Sequence, residues 1–211
     1  RGRIVLQSKC GIRFAGDPEA GSPARYDFSR GHLVRSVEAT LKRLDTDHLD
    51  LLLLHRPDPL MEPAEVARAF DHLQDSGKVL HFGVSNHNAA QISLLQEQLE
   101  QPLVVNQVEL SLLHHHLISD GILDYCREYG ILVQAWSPLA AGRLFAGTPA
   151  KELRPAAELV VRLAEAKDVA PEAILLAWLL KHPAGIQPIV GTTNPDRLVA
   201  SCQADTIDLG R

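Results

Sequence analysis

The feature of this chain that most limits its fold is an alternation. Short apolar runs, each closed by a polar residue, are separated by longer stretches in which apolar residues recur every three or four positions. Strands buried on both faces read as continuous apolar runs, and the helices that cross between them read as amphipathic ones, so the alternation points to repeated βα units and a parallel sheet. The first run is Ile4-Val5-Leu6, leading to Lys9, and a polar loop follows from 11 to about 28. Ser29 is placed to cap a helix on which Leu33, Val37, Leu41 and Leu44 make one stripe. A strand over 49–54 stops at His55-Arg56-Pro57, and a helix over 63–73 stops at Gly77. A strand over 79–84 ends in Ser85-Asn86, the helix after it carries Ile92, Leu95 and Leu99, and a strand over 103–108 follows.

The pattern continues with a helix over 122–129 stopped by Gly130 and a strand over 131–136. A loop containing Gly142 and Gly147 leads to helices over 155–167 and 171–181, a short strand over 187–190, and a last helix entered at Asn194-Pro195-Asp196. That makes six strands, each followed by a helix, with no linker between them, so 1–211 reads as one domain. A (β/α)8 TIM barrel needs eight such units and about 250 residues. The expected fold class is therefore α/β, of the (β/α)8 TIM-barrel type, with about six of eight units present. The other arrangement of such units, an open doubly wound sheet, usually carries Gly-x-Gly-x-x-Gly after its first strand, and no such motif occurs here.

Composition excludes several classes of function. At 45% hydrophobic and 22% charged residues, the chain can build one sizeable core and shows little sign of disorder. A net charge of -5 with no basic stripe argues against nucleic acid as a partner. No apolar run approaches the roughly 18 residues of a spanning helix, so no membrane partner is expected. Cys10, Cys126 and Cys202 are far apart and form no Cys-x-x-Cys pair, which argues against a disulfide framework or structural zinc and fits the reducing cytoplasm. His114-His115-His116 is a poor metal site because consecutive side chains diverge, and no metal is expected.

Functional groups of a β/α barrel gather where strands end, because the βα loops share one rim. Lys9 and His55 close consecutive strands, and a cation and an imidazole on one pocket suit polarising a carbonyl and tuning a proton donor. Ser85, Asn86 and Gln107 offer directed donors and acceptors for a neutral amide ligand. Trp136 can stack on a planar heterocycle. Thr192, Thr193 and Asn194 lead into a helix N-terminus, which favours anions, and Arg197 in its first turn opposes the helix dipole unless an anion or Asp196 compensates. Each residue also has a plain structural reading, as a strand-end charge, a hydrogen-bonded histidine, a loop cap or a core aromatic.

The strings Ser8-Lys9-Cys10-Gly11, His55-Arg56-Pro57-Asp58, Gly83-Val84-Ser85-Asn86, Asn106-Gln107-Val108-Glu109, Ala135-Trp136-Ser137-Pro138-Leu139 and Pro188-Ile189-Val190-Gly191-Thr192 with Arg197 resemble the aldo-keto reductases, in order and over essentially the whole chain. The resemblance is closest to the bacterial predicted-oxidoreductase branch of that family. It implies a barrel that moves a hydride between NADPH and an aldehyde or ketone, without a metal, and NADH is a possible substitute for NADPH. By resemblance, Lys9 and His55 match two members of a catalytic tetrad, and Ser85, Asn86 and Gln107 match the residues that hold the nicotinamide carboxamide. Trp136 matches the stacking aromatic, and Ser137, Leu139 and Gly142 the stretch along the pyrophosphate. Gly191 stands where many members have a phosphate-binding lysine, while Thr192 and Arg197 match residues at the adenosine 2′-phosphate.

The same resemblance places the tetrad's tyrosine and aspartate in two βα units ahead of Arg1, so these 211 residues are expected to be inactive by themselves. Ala200 and Ser201 stand where Glu and Asn are common. The expected partner is a small carbonyl substrate. A dinucleotide-binding regulatory module with little catalysis is the alternative.

Overall fold

The computed structural model describes residues 4–145 and 149–210, so Gly147 of the predicted loop lies outside the described residues. The chain divides into two compact units, Arg1–Gln107 and Val108–Arg211. The predicted alternation is present in both.

The first unit begins with β1, Gln7–Cys10. Ile4 and Val5 precede this strand and are exposed, whereas the sequence pattern puts them inside it. Pairing with the next parallel strand begins only at Gln7 opposite Leu51, and the Asp50 carboxylate accepts the Leu6 N–H at 2.7 Å. The loop that follows is not featureless. It holds a small antiparallel pair, β2 (Ile12–Arg13) and β3 (Arg25–Tyr26), with Ile12 opposite Tyr26.

Helix α1, Arg30–Leu44, starts where expected: the Ser29 side chain accepts the His32 N–H. It ends on Asp45 in the left-handed conformation. β4 (Leu49–Leu54) is followed by α2 (Pro63–Asp75), whose Val66, Ala69, Phe70 and Leu73 are buried. Phe70 stacks on Phe82 of β5 (Val79–Ser85) with ring centroids 4.0 Å apart. α3, Ala89–Gln96, opens with a capping box between Asn88 and Gln91. It is shorter than its apolar spacing suggests, leaving Leu99 beyond it.

β6, Leu103–Glu109, pairs with β5 through an irregular register. Phe82 faces Leu103 but Val84 faces Asn106, so β6 carries one more residue than β5 across this interval. Gly83 sits at the irregularity, where a Cβ would lie 2.6 Å from both the Leu53 side chain and the Val105 carbonyl oxygen. Only glycine allows that approach. The shift brings Ser85 opposite Gln107. β1, β4, β5 and β6 are neighbours in that order, all parallel.

In the second unit, α4 (Ile122–Glu128) precedes β7 (Leu132–Trp136). α5 (Arg154–Lys167) packs Ala157, Val160 and Ala164 against Ile174 and Leu175 of α6 (Pro171–Leu180). Both helices carry proline in the first turn, where its missing N–H costs nothing. β8 is only Gln187–Pro188 and pairs parallel with β7. α7, Pro195–Cys202, follows an Asn194 cap. No helix among the described residues is long and apolar enough to cross a membrane.

Candidate active site

Five of the predicted site residues meet in the first unit. Lys9 lies one residue from the end of β1 and opposite Leu53, so its side chain emerges where β4 gives way to His55. Its ammonium donates to the Gln107 side-chain oxygen. The His55 backbone N–H donates to the Cys10 carbonyl at 2.9 Å, which fixes the start of the β4 loop against the end of β1. Lys9 and His55 line one cavity of about 680 Å³, together with Gln7, Phe14 and His32.

Both groups are half-buried and both are electrostatically shifted. Burial lowers the Lys9 pKa, and the Arg56 charge lowers it further. Burial lowers the His55 pKa, with Lys9 and Arg56 adding to the effect. A cation that is easier to deprotonate than a free lysine, beside an imidazole held toward its neutral form, suits proton handling at a carbonyl oxygen.

Gln107 is the hub of the group. Besides taking the Lys9 ammonium on its side chain, it takes two donors on its backbone carbonyl: the Ser85 hydroxyl at 2.8 Å and the Asn86 N–H at 2.9 Å. Asn86 adopts φ of 59°, a left-handed conformation that asparagine tolerates better than most residues, and its side-chain amide donates to the Ser85 hydroxyl oxygen at 3.0 Å. The carboxamides of Asn86 and Gln107 supply between them the acceptor and donor that a primary carboxamide ligand requires.

The remaining predicted residues belong to the second unit. Trp136 ends β7, and its carbonyl accepts the Leu110 N–H at 3.4 Å. The backbone then turns through positive φ at Ser137 (54°), Ala140 (50°), Ala141 (54°) and Gly142 (74°). Three non-glycine residues in this region within five positions store about 1 kcal/mol or more each, the kind of strain that collects at binding loops. Leu139 packs against buried Leu176 and Ala177 and accepts the Gly142 N–H at 2.9 Å.

At the start of α7 the structure replaces part of the sequence argument. The helix-end N–H groups of Asp196 and Arg197 are not left for an anion: the Asn194 side chain accepts both, at 2.9 and 3.2 Å. The Thr192 hydroxyl oxygen in turn accepts the Asn194 N–H at 3.1 Å. Gly191 has nothing within 4 Å of the position a Cβ would occupy. Arg197 is exposed and, among the described residues, makes no ion pair with Asp196.

The sequence profile of the aldo/keto reductase family matches residues 1–209. The chain belongs to the aldo/keto reductase family. Among its relatives, the oxidoreductase YdhF of Escherichia coli (strain K12) is 44% identical over 211 residues, covering all of this chain and 70% of that protein. A 6-dehydroglucose reductase of Agrobacterium fabrum is 40% identical over 212 residues, with the same coverage of 100% and 70%. The solved structure of the thermostable aldo-keto reductase Tm1743, bound to the inhibitor epalrestat, superposes with a TM-score of 0.78 at 28% identity, covering 87% of this chain and 64% of that one. The aldo/keto reductase fold is the β/α barrel, and the described residues contribute six of its βα units.

Residues that sequence reasoning did not single out also hold the site. Arg13 is buried, donates to Asp27 at 2.5 Å and to Asp17 at 3.2 Å, and so ties the β2–β3 loop beside Lys9. His87 and Asn106 are buried next to Asn86 and Gln107. Their adjacency to two predicted residues was the one signal available. The rings of His114 and His116 meet edge to face at 4.6 Å.

Proposed function

We propose that the protein reduces an aldehyde or ketone to an alcohol using NADPH. The observation that carries this reading is the half-buried Lys9 ammonium bonded to Gln107 and sharing a cavity with His55. The first gives a cation near a developing alkoxide; the second gives a neutral imidazole able to orient the carbonyl. Bound NADPH would supply the hydride to the carbonyl carbon. Ser85, Asn86 and Gln107 would hold its carboxamide, and Trp136 would stack on its ring. Ser137, Leu139 and Gly142 would follow the pyrophosphate, Gly191 would stand at a phosphate contact, and Thr192 and Arg197 would hold the 2′-phosphate. A cytoplasmic setting, where NADPH is abundant, fits this reading.

Tyr26, the one tyrosine of the first unit among the described residues, does not line the cavity of Lys9 and His55. The 211 residues by themselves are proposed to bind the dinucleotide and to turn over little. The test is label transfer. With NADPH deuterated at the transferring position and 6-dehydroglucose or a simple aldehyde, the active protein should move one deuterium to the carbinol carbon, and K9M should cut the rate about 100-fold or more. Undiminished transfer in K9M contradicts the role given to Lys9. Saturable binding without transfer by the whole protein would support a regulatory module instead.

A further inference from the structure

The turn after β5 contains a histidine for which the proposed chemistry has no role. His87 is 2% exposed, and its Nδ1 lies 3.0 Å from the Ser85 carbonyl oxygen. A carbonyl only accepts, so Nδ1 carries the proton and donates, while Nε2 is an acceptor. That Nε2 is buried and has no hydrogen-bond partner among the described residues. Burial also holds the His87 pKa down to about 4, so the ring is neutral at ordinary pH.

A second side chain grips the same turn. Asn106 is fully buried, and its amide donates to the His87 carbonyl at 2.9 Å. Between these two bonds sits Asn86 in its left-handed conformation, with its N–H on the Gln107 carbonyl. An apolar ring at position 87 could fill the same volume but would leave the Ser85 carbonyl without this donor, and the left-handed residue beside it less constrained.

We propose that His87 is a positioning residue for the dinucleotide site: its Nδ1–H on the Ser85 carbonyl, with Asn106 on its own carbonyl, sets the turn that presents Asn86 beside Gln107. The inference rests on the reading of Ser85, Asn86 and Gln107 as the carboxamide-binding residues. It adds a residue that never touches the ligand, and it gives a role to a histidine that stands with one satisfied nitrogen in so buried a place.

The test separates the turn from the ligand. Asparagine places an amide N–H where Nδ1–H stands, whereas phenylalanine fills the space without a donor. Amide hydrogen exchange at Asn86 is measured in the native chain, H87N and H87F, with Leu52, Leu53 and Leu54 as internal controls. Exchange at Asn86 should quicken about tenfold in H87F and stay within about threefold of native in H87N, with the controls unchanged. If H87F does not fold, N106L serves in its place and should quicken Asn86 in the same way. Equal protection in native and donorless variants, or H87N behaving like H87F, overturns the proposal. NADPH affinity of the same proteins should follow the exchange, falling about tenfold in H87F and recovering in H87N. A native chain that takes up no NADPH while the exchange pattern holds overturns the carboxamide reading and leaves the turn clamp supported.

Discussion

The Lys9 ammonium donates to the side-chain oxygen of Gln107, 98 residues away in sequence. That bond joins β1 to β6 at their ends and puts a cation against the residue whose backbone carbonyl also anchors Ser85 and Asn86. Lys9 and the three residues proposed to hold a carboxamide, Ser85, Asn86 and Gln107, are thus one hydrogen-bonded set rather than two.

Because Arg56 depresses the proton affinity of both Lys9 and His55, removing its charge has a defined sign. R56Q should move the titrations of Lys9 and His55 to higher pH, and K9M should move that of His55 the same way. Side-chain nitrogen shifts followed by NMR across pH read both. Midpoints that stay still, or move down, contradict the electrostatic account.

The Arg13 clamp predicts a specific acid sensitivity. Burial alone would raise the Asp27 pKa, but hydrogen bonds from Ser29 and Arg13 outweigh it and hold the carboxyl at about 2, against an ordinary 3.8. The unfolded chain therefore takes up a proton first as pH falls. Stability from Asp27, about 2 kcal/mol, is present above pH 4 or so and is lost progressively toward pH 2. Urea unfolding at pH 5 and pH 2.5 should show this loss in the native chain and not in D27N. R13M should cost about 3 kcal/mol at pH 7, since it leaves a partly buried carboxylate without its partner.

Arg197 is exposed in the first turn of α7, and the helix N–H groups beside it are already taken by Asn194. On the proposed reading of Arg197, recognition of a 2′-phosphate rests on the guanidinium more than on the helix end. R197A should weaken NADPH binding about tenfold and leave NADH binding unchanged, as calorimetry on both nucleotides would show. An equal loss for both would move Arg197 away from the 2′-phosphate.

Most of the fold was legible because it rests on local signals. The Ser29 cap, the helix-starting prolines at Pro63 and Pro171, and the run from Leu49 to Leu54 each specify their element from adjacent residues. What failed depended on contacts distant in sequence. Ile4 and Val5 look like strand residues, yet the strand starts where Leu51 offers a partner. The β2–β3 pair is held by Arg13 reaching Asp27, which no periodicity reveals. The predicted residues at the strand ends of the first unit lie beside one another because strand polarity alone brings them to one end. His87 was hidden because a histidine in a polar turn resembles any loop residue until its burial is known.

The most direct test of the account is calorimetric titration of NADPH into the 211-residue chain and its N86A and Q107A variants. Saturable binding by the native chain, weakened about tenfold or more in each variant, is the predicted result. No saturable binding by the folded native chain, or equal affinity in all three, would contradict it.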